Sequence, residues 1–333
     1  MKIKKRIKHN CAIISFFPIF PTYSGASEVV YSLYKSWPGN RKLFYLNNFH
    51  KNSKLNSIAK LLKIPFLFLR VYFHLLHKPK KIVIIEGASW IGFSFFFLIL
   101  SKIFLNNTKI IYHAHNIEYE IRKINSSKIT ILLTKYFENL TFKISDIPTV
   151  VSYRDKITIK KLYNKKSYIF QNGLDTKRLK VKKVSKPQNY ILFVGSYLYY
   201  PNRIAIKKLI KINKNFICKK LKNFKVIIVG KGLPLEIKRT NSNLKHFEYL
   251  KKNELNKLMI SSKFILAPLI KSPGTKIKII ETMMLGIPLI VSRKGMIGIK
   301  IFKNSKYPLI YKSEIDLINK IKYLNQNYKN YRK

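Results

Sequence analysis

The residues best suited to a charged ligand lie in LAPLIKSPGTKIKIIETMMLGIPLIVS, positions 266–292. The pattern predicts a strand ending at Pro268, a Gly-Thr turn, and a helix that carries Lys276, Lys278 and Glu281. Amide groups at a helix start, with lysines nearby, suit a diphosphate. A carboxylate on the same helix accepts hydrogen bonds from ribose hydroxyls. An ordinary lysine-rich strand–helix unit would show the same pattern, so both interpretations stay open here.

Two histidines and a glutamate stand in HAHNIE, positions 113–118, at the end of another predicted strand. Their spacing matches no strong metal-binding pattern and nothing else in the sequence completes a ligand set, so we expect no metal. The segment is either a loop in which Asn116 caps a helix, or a site in which His115 hydrogen-bonds a substrate hydroxyl or donates to a reacting centre. We expect His113 to face the opposite way from His115.

Gly25 is a third candidate, because it follows the first predicted strand and stands where a helix begins. Free N–H groups and the positive end of a helix favour an anion there. The segment is not GxGxxG, and a single glycine in such a turn is usually only part of the turn.

The elements that would position these residues alternate along the chain. Short β-branched runs alternate with longer amphipathic runs, which is typical of βαβ units and parallel sheets. Strands are predicted at 11–17, 42–48, 81–87, 109–115, 148–153, 167–173, 190–196, 225–232, 244–250, 263–269 and 288–292. Helices are predicted at 25–36, 54–77, 91–105, 127–145, 153–163, 202–221, 252–261, 275–286 and 313–328.

The length of 333 residues and the restart of this rhythm after a lysine-rich stretch predict two α/β domains. We expect two Rossmann-like, doubly wound domains that face a central cleft, with ligands at the carboxyl ends of the strands. The predicted boundaries are 1–175 for the first domain, 176–189 for a linker and 190–312 for the second domain. The helix at 313–333 is expected to pack back on the first domain.

Composition excludes several classes of protein. The chain is 47% hydrophobic with 12 Gly and two Cys, which rules out a disordered, collagen-like or disulfide-framework chain. Two isolated cysteines fit a reducing compartment, and we expect a cytoplasmic protein. The net charge of +52 is spread along both halves, without a known nucleic-acid-binding motif, so we expect no nucleic-acid partner.

Two segments resemble membrane or targeting sequences without fitting either well. The start of the chain has a basic region and an apolar run, but Pro18 and Pro21 break that run, and a buried strand fits better. The segment 82–100 is almost long enough to span a bilayer. Glu86 and Gly87 interrupt it, which favours a strand, a turn and a buried helix.

The segment 54–81 combines apolar residues with seven lysine and arginine residues and no acid. A basic amphipathic segment can lie in the headgroup plane of an anionic membrane, so we expect peripheral attachment to the inner face of the cell membrane. The same segment also fits an ordinary helix that covers a sheet, with Pro65 kinking it or ending its first turns.

Taken in order, these motifs resemble those of retaining glycosyltransferases with the GT-B fold, similar to glycosyltransferase family 4 (group 1 type). The resemblance covers about 11–300 and rests on the order of SG (24–25), HNIE (115–118), NGLD (172–175), FVGSYLYYPN (193–202), IIVGKG (227–232) and the 266–292 segment. It implies a transferase that moves a sugar from a nucleotide-diphosphate sugar to a cell-envelope glycan or lipid-linked acceptor, such as lipopolysaccharide.

The resemblance also assigns site residues. Glu281 matches the second Glu of the E-x7-E element that holds the nucleotide ribose, whereas the first falls on Pro273. His115 matches the histidine near the donor sugar, and His115 and Lys276 are the catalytic candidates. The residues implied to contact the nucleotide sugar are Gly25, Gly195, Asn202, Gly274, Thr275, Lys276, Lys278 and Glu281.

The family's mechanism is thought to be a front-face transfer in which the leaving phosphate takes the acceptor proton, so no general base and no metal cofactor are expected. With only 14 acidic residues, a glycosidase that needs paired carboxylates is disfavoured. The alternatives are a GT-B-fold enzyme of other chemistry, such as a sugar-nucleotide epimerase, or an inactive transferase-like domain.

Overall fold

The computed structural model describes residues 10–20, 25–47, 53–87, 89–174, 187–221, 223–270, 275–299, 301, 305 and 307–331, and side chains at 53–61, 125 and 329–330 are excluded. The chain divides into two compact units, one formed by 1–175 with 273–275 and the other by 176–272 and 276–333. Of the predicted linker, 176–186 lies outside the described residues.

Unit 1, the part up to residue 175, is built on a six-stranded parallel sheet in the order β2-β1-β3-β4-β5-β6. Its strands are β1 Cys11–Ser15, β2 Arg41–Tyr45, β3 Ile82–Glu86, β4 Lys109–Ala114, β5 Ile147–Val150 and β6 Tyr168–Ile169. Its helices are α1 Gly25–Ser36, α2 Ser53–His77, α3 Ile91–Phe104, α4 Glu118–Asn125, α5 Lys128–Ile144 and α6 Tyr153–Tyr163.

Unit 2, the remaining part, contains a second six-stranded parallel sheet in the order β12-β11-β10-β7-β8-β9. Its strands are β7 Gln188–Val194, β8 Lys225–Val229, β9 Leu244–Phe247, β10 Ser262–Ala267, β11 Leu289–Ser292 and β12 Leu309–Tyr311. Its helices are α7 Tyr200–Ile212, continued by a π-helical turn Asn213–Ile217 and by α8 Cys218–Lys220, then α9 Leu235–Arg239, α10 Lys252–Ser261, α11 Ile277–Met284, α12 Glu314–Gln326 and α13 Tyr328–Tyr331.

The apolar runs form strands because both faces of a parallel sheet are covered by helices. All five residues of β1 are buried, and so are the last four of β3. One face of the sheet in unit 1 packs against α2, α3, α5 and α6, and the other packs against α1. Serine side chains fix two of the helix starts, since Ser127 and Ser152 accept hydrogen bonds from the third residues of α5 and α6.

The segment 82–100 forms β3, a turn and α3, as its interrupted pattern predicted. Among the described residues, no helix is both long and apolar enough to cross a bilayer. The helix α2 continues through Pro65, where a kink or an end was expected.

The carboxy-terminal helix is a correction to the sequence-based expectation. Leu317, Ile321 and Leu324 of α12 are fully buried and belong to the hydrophobic core of unit 2, not to that of unit 1. The short strand β12, which directly precedes α12, was not predicted and pairs with β11. Three consecutive strand residues are too few to give a periodic signal.

Candidate functional site

In unit 2 the direction of the chain reverses between two neighbouring strands. The chain runs from β7 outward through β8 to β9, and then returns to β10 beside β7 before running outward the other way. Ligands of open parallel sheets bind outside the carboxyl ends of the strands at such a switch point. Gly195 follows β7, and Lys276 stands between β10 and α11, so two of the predicted residues lie at this edge.

The loops after β7 and β8 touch one another closely. A Cβ atom added to Gly195 would lie 2.8 Å from the side-chain amide nitrogen of Asn202. These two predicted residues are therefore neighbours. A Cβ atom on Gly230 would lie 2.2 Å from the carbonyl oxygen of Gly195. Only glycine allows this approach, so the backbones of the two loops lie directly against one another at this edge.

Glu281 is the most deeply buried of the predicted residues in unit 2. It is 1% exposed and lies on α11, in the helix that follows β10. Lys278, one turn earlier on the same helix, donates a hydrogen bond to Oε2 over 2.7 Å. Lys252, the first residue of α10, donates to Oε1. One buried carboxylate is therefore paired with two ammonium groups.

The two lysines decide the charge of this carboxylate. Burial alone would raise the pKa of Glu281, but the charges and hydrogen bonds of Lys278 and Lys252 outweigh it and hold the pKa below its usual range. The side chain is therefore ionised at neutral pH. Each carboxylate oxygen has two lone-pair sites, so each can accept one further hydrogen bond from a ligand hydroxyl.

The other predicted residues of this segment lie at the start of α11. Lys276 is the residue immediately before the helix, and Lys278 is its second residue. The hydroxyl of Thr275 is buried and has no hydrogen-bond partner among the described residues. Gly274 and Pro273 lie outside the described residues.

In unit 1 the switch point lies between β1 and β3. Gly25 is the first residue of α1, the helix after β1, as the sequence predicted. The first turn of α1 also carries Glu28, which is buried.

His115 directly follows β4, and its imidazole is held by a carboxylate. Its Nε2 atom lies 2.5 Å from Oε2 of Glu86, the last residue of β3, and both side chains are buried. The His113 ring lies edge-on to that of His115 with 5.0 Å between the ring centres. The expectation that His113 faces the other way is therefore wrong, because residues two apart at a strand end share a face.

The three side chains form the one potential metal-binding group found among the described residues. One ligand atom from each of Glu86, His113 and His115 lies within 4.8 Å of the others. Two imidazoles and a carboxylate are ligands that Zn²⁺ accepts. However, His115 is already hydrogen-bonded to Glu86, and His113 Nδ1 lies 2.9 Å from the Thr149 hydroxyl. One nitrogen of each histidine is therefore already hydrogen-bonded to a side chain, whereas Oε1 of Glu86 has no partner among the described residues.

A second buried glutamate fixes the loop that holds His115. Glu138 of α5 accepts hydrogen bonds from the backbone N–H groups of Glu118 and Tyr119, at 2.7 Å and 3.3 Å. Its Oε2 also accepts a hydrogen bond from the Tyr163 hydroxyl over 2.6 Å. Glu138 thus caps α4 from a neighbouring helix and anchors the HNIE segment. Burial raises its pKa to about 7 against the opposing effect of these hydrogen bonds.

Sequence reasoning missed Glu86, Glu138 and Lys252. Glu86 did leave a signal, because an acid at the end of an otherwise apolar strand must be buried with a partner. Lys252 and Glu138 left none, since each meets its partner across elements that are far apart in sequence.

Comparison with known proteins identifies a family for part of the chain. Residues 188–327 match the family model described as "Glycosyl transferases group 1", which covers less than half of the chain. No curated protein matches the sequence at a significant level.

Several solved structures have a similar fold at low sequence identity. Sucrose-phosphate synthase from Thermosynechococcus elongatus has a TM-score of 0.75 at 12% identity, over 98% of this chain and 91% of that one. The Anabaena protein HepE in complex with UDP has a TM-score of 0.62 at 12% identity, over 98% and 92%. WaaG, a glycosyltransferase involved in lipopolysaccharide biosynthesis, has a TM-score of 0.60 at 15% identity, over 85% and 81%.

Two findings therefore agree on the class of protein. The chain has the two-domain α/β architecture of the GT-B fold, and its second unit carries a group 1 glycosyltransferase domain. The protein is a glycosyltransferase.

Proposed function

We propose that the protein transfers a sugar from a nucleoside-diphosphate sugar, with retention of configuration, to a cell-envelope glycan or a lipid-linked acceptor. The observation that carries this proposal is the buried carboxylate of Glu281, kept ionised by Lys252 and Lys278 beside the switch point of the second sheet. A carboxylate is expensive to bury. One that can still accept hydrogen bonds at a ligand edge is suited to the two hydroxyls of a ribose.

The remaining residues of this edge contact different parts of the donor. The amide group of Thr275, with Lys276 beside it, contacts the diphosphate at the start of α11; Gly274, the other residue of the predicted turn, lies outside the described residues. Lys278 adds positive charge to the same end. The backbone around Gly195, in the loop after β7, and the side chain of Asn202, in the first turn of α7, lie against one another and contact the nucleotide sugar.

Transfer from such a donor demands little proton chemistry of the protein. The nucleoside diphosphate is already a good leaving group, so the protein has to stabilise the negative charge that develops on it and align the acceptor. Lys276 supplies charge for the first task. His115 hydrogen-bonds the sugar or the acceptor, and the leaving phosphate takes the acceptor proton. No metal cofactor is part of this proposal.

The comparisons support a uridine nucleotide as the first donor to test, because HepE was solved with UDP. WaaG's description supports an envelope acceptor such as lipopolysaccharide. Attachment to the inner face of the cell membrane is part of the same proposal. It is supported by the exposed apolar residues of α2, which lie beside exposed Lys63, Arg70 and Lys78.

The experiment that tests the proposal compares Glu281→Gln with a matched control, Glu314→Gln. Glu314 is also paired with a lysine, Lys211 at 3.3 Å, but its side chain on α12 is 43% exposed. Calorimetric titration with UDP should show binding weakened by about 5- to 150-fold in Glu281→Gln, the effect of losing hydrogen bonds to a charged acceptor, at about 1–3 kcal/mol. The control variant should bind like the wild type.

Turnover is then measured with a panel of nucleotide sugars and extracted membranes as acceptor, and the anomeric configuration of the product is read by NMR. UDP affinity equal in all three proteins would contradict the role of Glu281. Nucleotide binding without transfer from any donor would favour the inactive, transferase-like domain. A product of inverted configuration would contradict retention.

A further inference from the structure

The two completely buried glutamates of unit 1 are held in very different ways. Glu138 is 0% exposed, and both of its oxygens accept hydrogen bonds from neutral donors of the neighbouring elements. Glu86 is equally buried, and its Oε2 atom is bonded to His115, whereas its Oε1 atom has no partner among the described residues. A carboxylate that served only the fold would have both oxygens satisfied, since an unsatisfied buried oxygen lowers stability.

The backbone places Glu86 where it can hold His115. Glu86 and His113 are paired residues of the adjacent strands β3 and β4, and the Gly87 N–H group donates to the His113 carbonyl oxygen over 2.9 Å. The pairing of β3 with β4 thus continues past Glu86, so the backbone that carries the Glu86 side chain is held in place. His115 follows two residues beyond His113, which brings its Nε2 atom to the carboxylate.

We infer that Glu86 is a positioning residue for His115. Its carboxylate accepts the Nε2–H group, which fixes both the orientation of the imidazole ring and the nitrogen that carries the proton. In the neutral imidazole the free nitrogen is then Nδ1, which is a hydrogen-bond acceptor. In this tautomer His115 can accept a hydrogen bond at Nδ1 from a hydroxyl of the sugar or of the acceptor. This inference rests on the proposed function for the identity of that hydroxyl, but not for the Glu86–His115 pair itself.

The first measurement does not depend on activity. The ¹⁵N NMR signals of the imidazole report which nitrogen is protonated, and the His115→Gln spectrum identifies the signals of His115. In the wild type the neutral imidazole of His115 should be in the Nε2–H form. In Glu86→Ala that preference should be lost and a mixture of the two forms should appear. The same Nε2–H form in Glu86→Ala would overturn the inference.

The second measurement is kinetic and uses Glu86→Gln as the conservative variant. The amide oxygen of the Gln side chain can still accept a hydrogen bond from Nε2–H at the same distance, but it carries no charge. Glu86→Ala should lower kcat by about 10-fold or more, with the KM for the donor changed less than about 2-fold. Glu86→Gln should recover part of the lost kcat. Equal kcat in the wild type and Glu86→Ala would overturn the inference.

Two further measurements distinguish a positioning role from a loss of folding and from metal binding. The melting temperatures of Glu86→Ala and Glu86→Gln should both lie well above the assay temperature, which excludes loss of folding as the cause of a lower kcat. Stoichiometric Zn²⁺ in the purified wild type that is absent from Glu86→Ala would assign Glu86, His113 and His115 as metal ligands and overturn the inference. If the wild type transferred no sugar at all, the proposed function would fail while the NMR measurement would still decide the role of Glu86.

Discussion

Three buried carboxylates of this protein are each held by a different chemistry. Glu281 is paired with two lysines, Glu138 with neutral donors, and Glu86 with an imidazole. A buried charge requires such partners, because removing them leaves an uncompensated carboxylate in a medium of low dielectric constant. The kind of partner decides the outcome: lysines keep Glu281 ionised, whereas neutral donors leave the pKa of Glu138 raised to about 7.

The placement of His115 predicts a variant with an effect on turnover rather than on nucleotide binding. Replacing His115 by Ala removes a hydrogen bond to the reacting sugar but none to the nucleotide, so kcat should fall by about 100-fold or more while the affinity for UDP stays within about 2-fold. Steady-state kinetics and calorimetry measure the two effects. His77→Ala, an exposed histidine of α2, is the control. Equal effects on affinity and turnover would show that the assignment is wrong.

The raised pKa of Glu138 predicts how stability depends on pH. Between about pH 4.5 and 7 the folded protein keeps a proton on Glu138 that the unfolded chain has lost, so this residue's contribution to the free energy of unfolding falls as the pH rises through that range. Glu138→Gln removes this dependence. The free energy of unfolding of Glu138→Gln minus that of the wild type should therefore rise as the pH increases from about 5 to 7.

Urea unfolding at a series of pH values measures the difference. Glu120→Gln, a substitution on α4 nearer the surface, corrects for the loss of one carboxylate. A constant difference between Glu138→Gln and the wild type across this range would contradict the raised pKa.

At the scale of elements, α2 differs from an ordinary sheet-covering helix because it is apolar on two sides. Ile64, Leu67, Val71 and Leu75 are buried against the sheet of unit 1. Leu62, Phe66, Leu69, Phe73 and Leu76 are exposed on the helix, Phe66 to 72%. Their spacing of three and four residues makes them one continuous stripe. A helix that is apolar all round is normally covered on every side.

The exposed stripe predicts binding to anionic lipid. The wild type should float with vesicles of anionic lipid at low salt, since the apolar side chains enter the headgroup region and each nearby Lys or Arg adds about 1 kcal/mol. Replacing Phe66 and Phe73 together by Ser should abolish flotation. Replacing Leu235 and Ile315 by Ser, two comparably exposed apolar residues of unit 2, should not. Flotation that is equal with neutral lipid, or absent at low salt, would contradict the prediction.

At the scale of the molecule, the two units have separate hydrophobic cores. The described core residues of unit 2 run from Tyr190 to Leu324, and those of unit 1 form two clusters on the faces of its own sheet. Units with separate cores can unfold in separate steps. The residues proposed to bind the nucleotide base and ribose lie in unit 2, so a nucleotide should stabilise that unit directly by mass action.

Calorimetric unfolding tests this division. Leu209→Ala removes a fully buried side chain from unit 2, and Leu98→Ala does the same in unit 1. Each substitution should destabilise its own unit by about 3 kcal/mol and lower one transition by about 6–12 °C. UDP should raise the transition that Leu209→Ala lowers. A single transition, shifted equally by both substitutions, would show that the units unfold together.

The sequence alone determined most of the elements and the positions of the predicted residues at their ends. Buried strands of a parallel sheet are continuous apolar runs, and the residue after each run must lie at the carboxyl edge, so the pattern was enough to place Gly195, Lys276 and His115. The proximity of His113 to His115 followed from the same period of two, although it was interpreted wrongly. The short elements α4, α9 and β12 carry too few residues to be predicted.

Only the tertiary structure decided which side chains meet. Lys252 reaches Glu281 from another helix, Glu138 caps α4 from α5, and α12 packs into the core of unit 2 rather than unit 1. Local patterns state whether a face is apolar or a side chain is charged, but they do not state what covers that face or pairs that charge. Those partners are brought together by the order of the strands, which is settled only when the sheets form and every buried carboxylate must find a donor.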